Sequence, residues 1–222
     1  MSDDLWNSIV GDGDDPPGDG ENEKLAPLID EIDLIQDPGI ASFVRAMLLR
    51  ADVFWKIPSS FSGHHHPPDE HGEGGNVLHT KRVVRIVKYL AEAQERDQFE
   101  TDQLIAAAIL HDLTKGVVWG EGNVGYDPLH PITVDRFYQM VRNENRSGGD
   151  DQASTTLDIE DEVVYSILRM VRCSHGRWGA IPEVMPITLF ESTLHWADYL
   201  SANLHYIIDK EPDESRWLPD QR

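Results

Sequence analysis

Six stretches of this chain carry apolar residues at three- and four-residue spacing, and no stretch alternates apolar with polar residues well enough to read as a strand. Side chains at those spacings share one face of a helix. Such faces must be buried against one another, so the pattern predicts an all-α helical bundle. The predicted helices run over about 39–54, 77–95, 101–112, 131–143, 159–173 and 188–208. In the second, Val83, Val87 and Leu90 form the stripe, with His79 one turn ahead of it. In the third, Leu104, Ala108 and His111 share a face, and in the last Leu194, Ala197, Leu200, Leu204 and Ile207 do so. Asp37-Pro38-Gly39 supplies the start signal of the first, with proline near the first turn.

What flanks the helices reads differently. Residues 1–24 are rich in Asp, Gly and Pro and carry too little apolar surface to offset the entropy of ordering. They predict a disordered acidic N-terminal tail, followed by one domain over 25–210 and a C-terminal tail over 211–222. Residues 57–76, rich in Pro, Gly and His, predict a long loop of a length usually tied to function or disorder.

Charge narrows the partners. The chain has 40 acidic against 19 basic residues, a net charge of -21. Residues 1–37 hold twelve acids and one base, whereas 79–178 hold twelve of the nineteen Lys and Arg. Such a field repels a long nucleic-acid backbone, so strong duplex binding is not expected. A phosphorylated small molecule, a nucleotide or a short single strand suits it better. No run of about 18 apolar residues predicts a membrane span, and the N-terminus lacks the pattern of a signal peptide. The single cysteine, Cys173, cannot form an internal disulfide. Together these predict a cytoplasmic protein; homo-oligomerisation stays open.

The chemistry starts at His111-Asp112, at the end of the apolar segment AAAIL. A carboxylate there is costly unless it is paired, protonated or bound to a metal. On its own the dipeptide reads equally well as a hydrogen-bonded core pair. His79 and Asp198 add two more polar residues at the margins of faces that should be buried. Two His and two Asp from three helices make a mixed nitrogen and oxygen set suited to manganese, iron, nickel, zinc or magnesium.

These residues, in the order His79, His111-Asp112, Asp198, resemble the HD superfamily of metal-dependent phosphohydrolases, over about residues 60–208. The resemblance implies a metal site of His79, His111, Asp112 and Asp198. It implies Lys115, in HDLTK, as a catalytic residue beside Asp112, near the substrate phosphate. His130 and His175 stand where two-metal members place further ligands. Relatives often have His-His where this chain has Ser174-His175, so one or two divalent ions are implied. The segments HHHPPDEHGEGGNVLHT and SHGRWG…MPITLFESTLHWAD look like the HD domain of 3′–5′ exoribonucleases. The implied activity is hydrolysis of phosphomonoester or phosphodiester bonds of a nucleotide or oligonucleotide. The alternative is a non-catalytic, regulatory HD module that binds a nucleotide or a protein partner.

Other residues carry two readings each. Arg82, Arg172 and Arg177 read as phosphate contacts or as solvated helix arginines. His195 reads as a support for a ligand or as helix packing. His64, His65, His66 and His71 line the mouth of the site or, by the favoured reading, face solvent. Glu73 with Gly74-Gly75 suits a close phosphate or a turn into a helix. Trp119 and Trp178 stack on a base or cover the core. Cys173 has no neighbour that would make it a nucleophile.

Overall fold

The structure, a computed structural model, describes residues 19–118, 123–125, 127–147, 157–179, 181 and 184–208. Its helices are α1 (Asp19–Leu25), α2 (Ile29–Ile32), α3 (Pro38–Leu49), α4 (Gly75–Ala93), α5 (Gln98–Leu110), α6 (His130–Ser147), α7 (Asp161–Cys173) and α8 (Leu189–Ile208). The all-α expectation holds. All six predicted helices are present, with ends that shift by a few residues. Between α5 and α6, Val117–Val118 pairs antiparallel with Asn123–Val124, a two-residue ladder too short to leave a periodic signal.

Local chemistry sets the helix ends. The Asp37 side chain accepts from the Ile40 amide at 2.9 Å and caps α3, while Asp97 caps α5 through the Glu100 amide at 2.8 Å. Helix α3 stops at Leu49 rather than near 54, because Ala51 and Phe54 turn back in three-residue steps onto Leu48 and Ala51. Residues 19–24, expected within the tail, are helical here. Lys24 donates to the Leu49 carbonyl at 2.7 Å and pairs with Asp52, and Leu25 is buried. Residues 1–18, the rest of the expected N-terminal tail, and residues 209–222, which include the whole expected C-terminal tail, lie outside the described residues.

Helix α5 is the axis of the bundle: every residue from Asp102 to Leu110 is buried, and it packs on α3, α4, α7 and α8. The alanines at 106–108 let neighbours approach closely at almost no cost in side-chain entropy. Its one buried carboxylate before the site, Asp102, accepts from the Gln36 and Asp37 amides at 3.0 and 2.7 Å and from the Gln98 amide group at 2.7 Å. That carboxylate is satisfied by structure and has no chemistry left over. Among the described residues no helix is long and apolar enough to cross a membrane.

Candidate metal centre

Helix α5 ends at Leu110, two residues short of the predicted end. His111 is therefore its C-cap, and residues 111–116 continue as turns, with Leu113 bonded to Leu110 and Lys115 to Asp112. Those turns are anchored to α6 by Thr114, whose hydroxyl donates to the His130 carbonyl at 2.7 Å. The His-Asp pair is thus held at the end of the most buried helix and turned toward α4, α6 and α8.

Each central imidazole is oriented by its Nδ1. That atom of His111 donates to the Ala108 carbonyl at 2.7 Å, and that of His130 donates to the Asp127 carbonyl at 2.7 Å. A carbonyl only accepts, so the proton sits on Nδ1 and a neutral ring carries its lone pair on Nε2. Nε2 of His111 lies 3.2 Å from Nε2 of His79 and 3.8 Å from Asp198 Oδ1. Nε2 of His79 lies 3.1 Å from the same Asp198 oxygen. Asp112 faces both sides: Oδ2 is 3.6 Å from His111 Nε2, and Oδ1 is 3.0 Å from His130 Nε2. His175 joins the second side, its ring edge-on to His130 at 4.7 Å. Ligand atoms of His79, His111 and Asp198, and separately of Asp112, His130 and His175, lie within 4.8 Å of one another.

This donor set fits a divalent cation. Ring nitrogens and carboxylate oxygens converge from α4, α6, α8 and the ends of α5 and α7, which is repulsive unless something positive sits among them. Lys115 supplies part of that charge, with Nζ 2.6 Å from Asp112 Oδ2. Its burial makes this a strong pair, and together with His111 and His130 it holds the Asp112 carboxyl well below the usual range, against a burial that alone would raise it. Asp198 is likewise pushed up by burial but brought well down by His79 and His111. His79 is lowered by burial, and the Asp198 and Glu70 carboxylates reverse this and raise it to about 9. Burial lowers His111, and burial with the neighbouring His130 lowers His175 to about 4.

All six residues named as ligands, and Lys115, are therefore brought together. Several residues with two readings take the structural one. Arg82 is not among the residues that line the cavity beside the centre, and its guanidinium pairs with Asp69, at 2.6 Å, and with Glu70. Arg172 pairs with Asp135 at 2.9 Å. Arg177 is on the surface in the turn Gly176–Trp178. His195 donates from Nδ1 to the Ser174 carbonyl at 2.6 Å and packs against Gly176, where a Cβ would meet its ring at 2.5 Å. The glycines 74 and 75 form the turn into α4. Gly74 has a φ of +73°, and a Cβ on Gly75 would come within 1.9 Å of the Glu70 carbonyl oxygen. Trp119 lies outside the described residues, and of Trp178 only the backbone is described. Cys173 is buried, which raises its thiol to about 11 and removes it as a nucleophile.

The loop histidines divide. His64 and His65 are exposed, and His71 donates from Nε2 to loop carbonyls. His66 does not face solvent. Its ring is edge-on to His79 at 4.4 Å, and its Nδ1 is 3.1 Å from Glu70 Oε2. Glu70, fully buried, was missed altogether by sequence reasoning. The signal was its place one to six residues from four histidines, which gives no periodicity to read. A cavity of about 730 Å³ opens beside these groups. His66, Lys115, His175, His195 and Asp198 line it, with Phe61 and Tyr199 among its aromatic walls.

These shifts imply a pH optimum for stability. His175 and His66 titrate near 4 in the fold and near 6.5 in the unfolded chain, so below pH 6.5 the unfolded state binds more protons and stability falls. The limit is on the order of 3 kcal/mol for a wholly buried ring. His79 works in the opposite sense: its contribution is complete below pH 6.5 and is lost as pH rises through about 9. Denaturant midpoints of cation-free protein are expected to peak near pH 6.5 and fall on both sides. A midpoint still rising toward pH 9 would contradict the His79 environment.

A family model described as HD domain matches residues 77–203. No curated protein and no solved structure matches the chain.

Proposed function

The chain belongs to the HD-domain family, matched over more than half its length, and from that premise we propose that it hydrolyses phosphomonoester or phosphodiester bonds of a nucleotide or short single strand. The family generally consists of metal-dependent phosphohydrolases. The observation that carries the reading is the meeting of Nε2 of His79 and of His111 with the Asp112 and Asp198 carboxylates.

In this reading His79, His111, Asp112 and Asp198 hold one divalent cation, manganese, iron, nickel, zinc or magnesium. Asp112 reaches across to a second position completed by His130 and His175. A cation held there supplies Lewis acidity toward phosphoryl oxygens and lowers the pKa of a water molecule toward neutrality. The protein's own part is orientation and charge. The Nδ1 bonds fix the rings before substrate arrives, so no reorganisation is needed during the reaction. Lys115, 6% exposed and lining the cavity, neutralises charge on the phosphoryl group. A cavity of about 730 Å³ is in the range that accepts a nucleotide. The net charge of -21 disfavours duplex binding.

The test is a cation-supplemented screen against nucleoside monophosphates, triphosphates, cyclic dinucleotides and short RNA. Turnover is expected with added cation and is expected to vanish with a chelator. Lys115→Ala is expected to lower kcat/KM by about 10²-fold while cation content stays at the wild-type value. Failure of every substrate with every cation would favour a binding module instead. Loss of cation from Lys115→Ala would remove its assignment to the phosphoryl group.

A further inference from the structure

The histidine beside the centre, His79, leans on a carboxylate that no sequence pattern pointed to. Glu70 sits at the end of the short turn Pro68–Glu70 and is fully buried. Its Oε2 lies 3.4 Å from His79 Nδ1, 3.1 Å from His66 Nδ1 and 3.1 Å from the Ser59 hydroxyl. Its Oε1 is held by Arg82, which Asp69 holds in turn. A buried carboxylate with this many donors is fixed in place, and it can fix whatever it accepts from.

The surrounding backbone is built to the same end. His66 has a φ of 71°, a left-handed conformation that a non-glycine residue rarely adopts. Its carbonyl accepts from His71 Nε2 at 3.1 Å, which stabilises that turn. Gly75 allows α4 to start hard against the Glu70 carbonyl, at a spacing no Cβ would permit. His79 follows one turn later on that helix. The loop and the helix are therefore clamped at one point, and the clamp faces the centre.

We propose that Glu70 is a positioning residue, which through one carboxylate oxygen sets the ring of His79 at the centre and the ring of His66 on the cavity wall. The proposal rests on reading the centre as a cation site. By accepting from Nδ1 of His79, Glu70 selects the tautomer that leaves Nε2 for the cation, and it raises the basicity of that nitrogen. The group His66, Glu70 and His79 has the spacing of a cation site in its own right. Arg82, itself held by Asp69, already occupies the other Glu70 oxygen, and His79 turns its Nε2 toward His111 and Asp198, so the group acts as a support instead. The Ser201 hydroxyl, 3.3 Å from the same Nδ1, shares the bond but brings no charge, so it contributes less.

The experiment compares Glu70→Gln, Ser201→Ala and Asp69→Asn with wild type, using manganese and zinc alone and a chelating dye as competitor. Gln keeps the shape, and Arg82 keeps Asp69, so the variant is expected to fold. Expected is a 10- to 100-fold weaker cation affinity for Glu70→Gln, a change of about threefold or less for Ser201→Ala, and none for Asp69→Asn. In parallel, long-range ¹H–¹⁵N spectra recorded above pH 9, where the cation-free His79 ring has lost its second proton, compare the tautomer in wild type and Glu70→Leu. Wild type is expected to show Nδ1–H, which gives way partly to Nε2–H in Glu70→Leu. A Glu70→Gln protein that binds cation as wild type does, even with a lowered Tm, overturns the positioning role. Should Glu70→Gln or Glu70→Leu not fold, Glu70→Asp decides: the shortened carboxylate is expected to weaken affinity, and unchanged affinity overturns the proposal. If wild type itself binds neither manganese nor zinc, the reading of the centre falls first and this proposal with it.

Discussion

Asp112→Ala is expected to abolish phosphoester hydrolysis, by more than about 10³-fold or about 4 kcal/mol, and to cost stability as well. Asp112 touches both halves of the site, through Oδ1 to His130 and Oδ2 toward His111 and Lys115. Removing it takes an oxygen donor from each half and leaves the Lys115 ammonium buried without its carboxylate. An uncompensated buried charge costs about 3–5 kcal/mol, out of the roughly 5–15 kcal/mol that holds a domain together. The two losses separate in the double variant Asp112→Ala/Lys115→Met. Methionine fills the volume without the charge, so the denaturant midpoint is expected to recover most of its fall while hydrolysis stays absent. Circular dichroism is expected to keep its helical signal in both. If hydrolysis persists in Asp112→Ala, the site lies elsewhere. If Lys115→Met restores no stability, the ammonium is not the origin of the cost.

The same pair shows why the sequence spoke clearly for some residues and not for others. His79, His111 and Asp198 sit at set positions along apolar stripes, and a polar residue at a buried position is legible because the period around it fixes where it points. Burial of α5 followed from its composition in the same way. Glu70 and His66 lie in a loop, where no period exists and exposure cannot be inferred from spacing. Their burial comes from a left-handed turn and a close glycine contact, both set by three-dimensional packing. Arg82 shows the converse failure: it follows His79 on α4 and looked like any helix arginine, but its partners lie in that unreadable loop. The two-residue ladder at Val117–Val118 escaped for want of length. Ser174 is a departure that was visible in the chain, and Asp112, His130 and His175 come together without a second imidazole there.

Cation binding is expected to raise Tm by about 8–16 °C. A ligand present at about a thousand times its Kd stabilises by about 4 kcal/mol, and in a chain of this size each kcal/mol moves Tm by about 2–4 °C. His111→Ala is expected to lose the shift, since it removes the ring that faces both His79 and Asp198. The shift should also depend on pH, with a sign set by His79. Without a cation, that ring is held protonated up to about 9, because Asp198 and Glu70 together outweigh its burial. A proton on Nε2, 3.1 Å from Asp198 and 3.2 Å from His111, then occupies the place a cation would take. Binding must expel that proton, so affinity rises with pH up to about 9, and the Tm shift shrinks as the solution is acidified. His111, pulled the other way by burial, has no proton to give at neutral pH. Calorimetry in buffers of different ionisation enthalpy is therefore expected to count about one proton released per cation at pH 7.5. Release of none would mean that His79 is already neutral in the cation-free protein. A shift that persists in His111→Ala would mean that the cation binds outside this cluster.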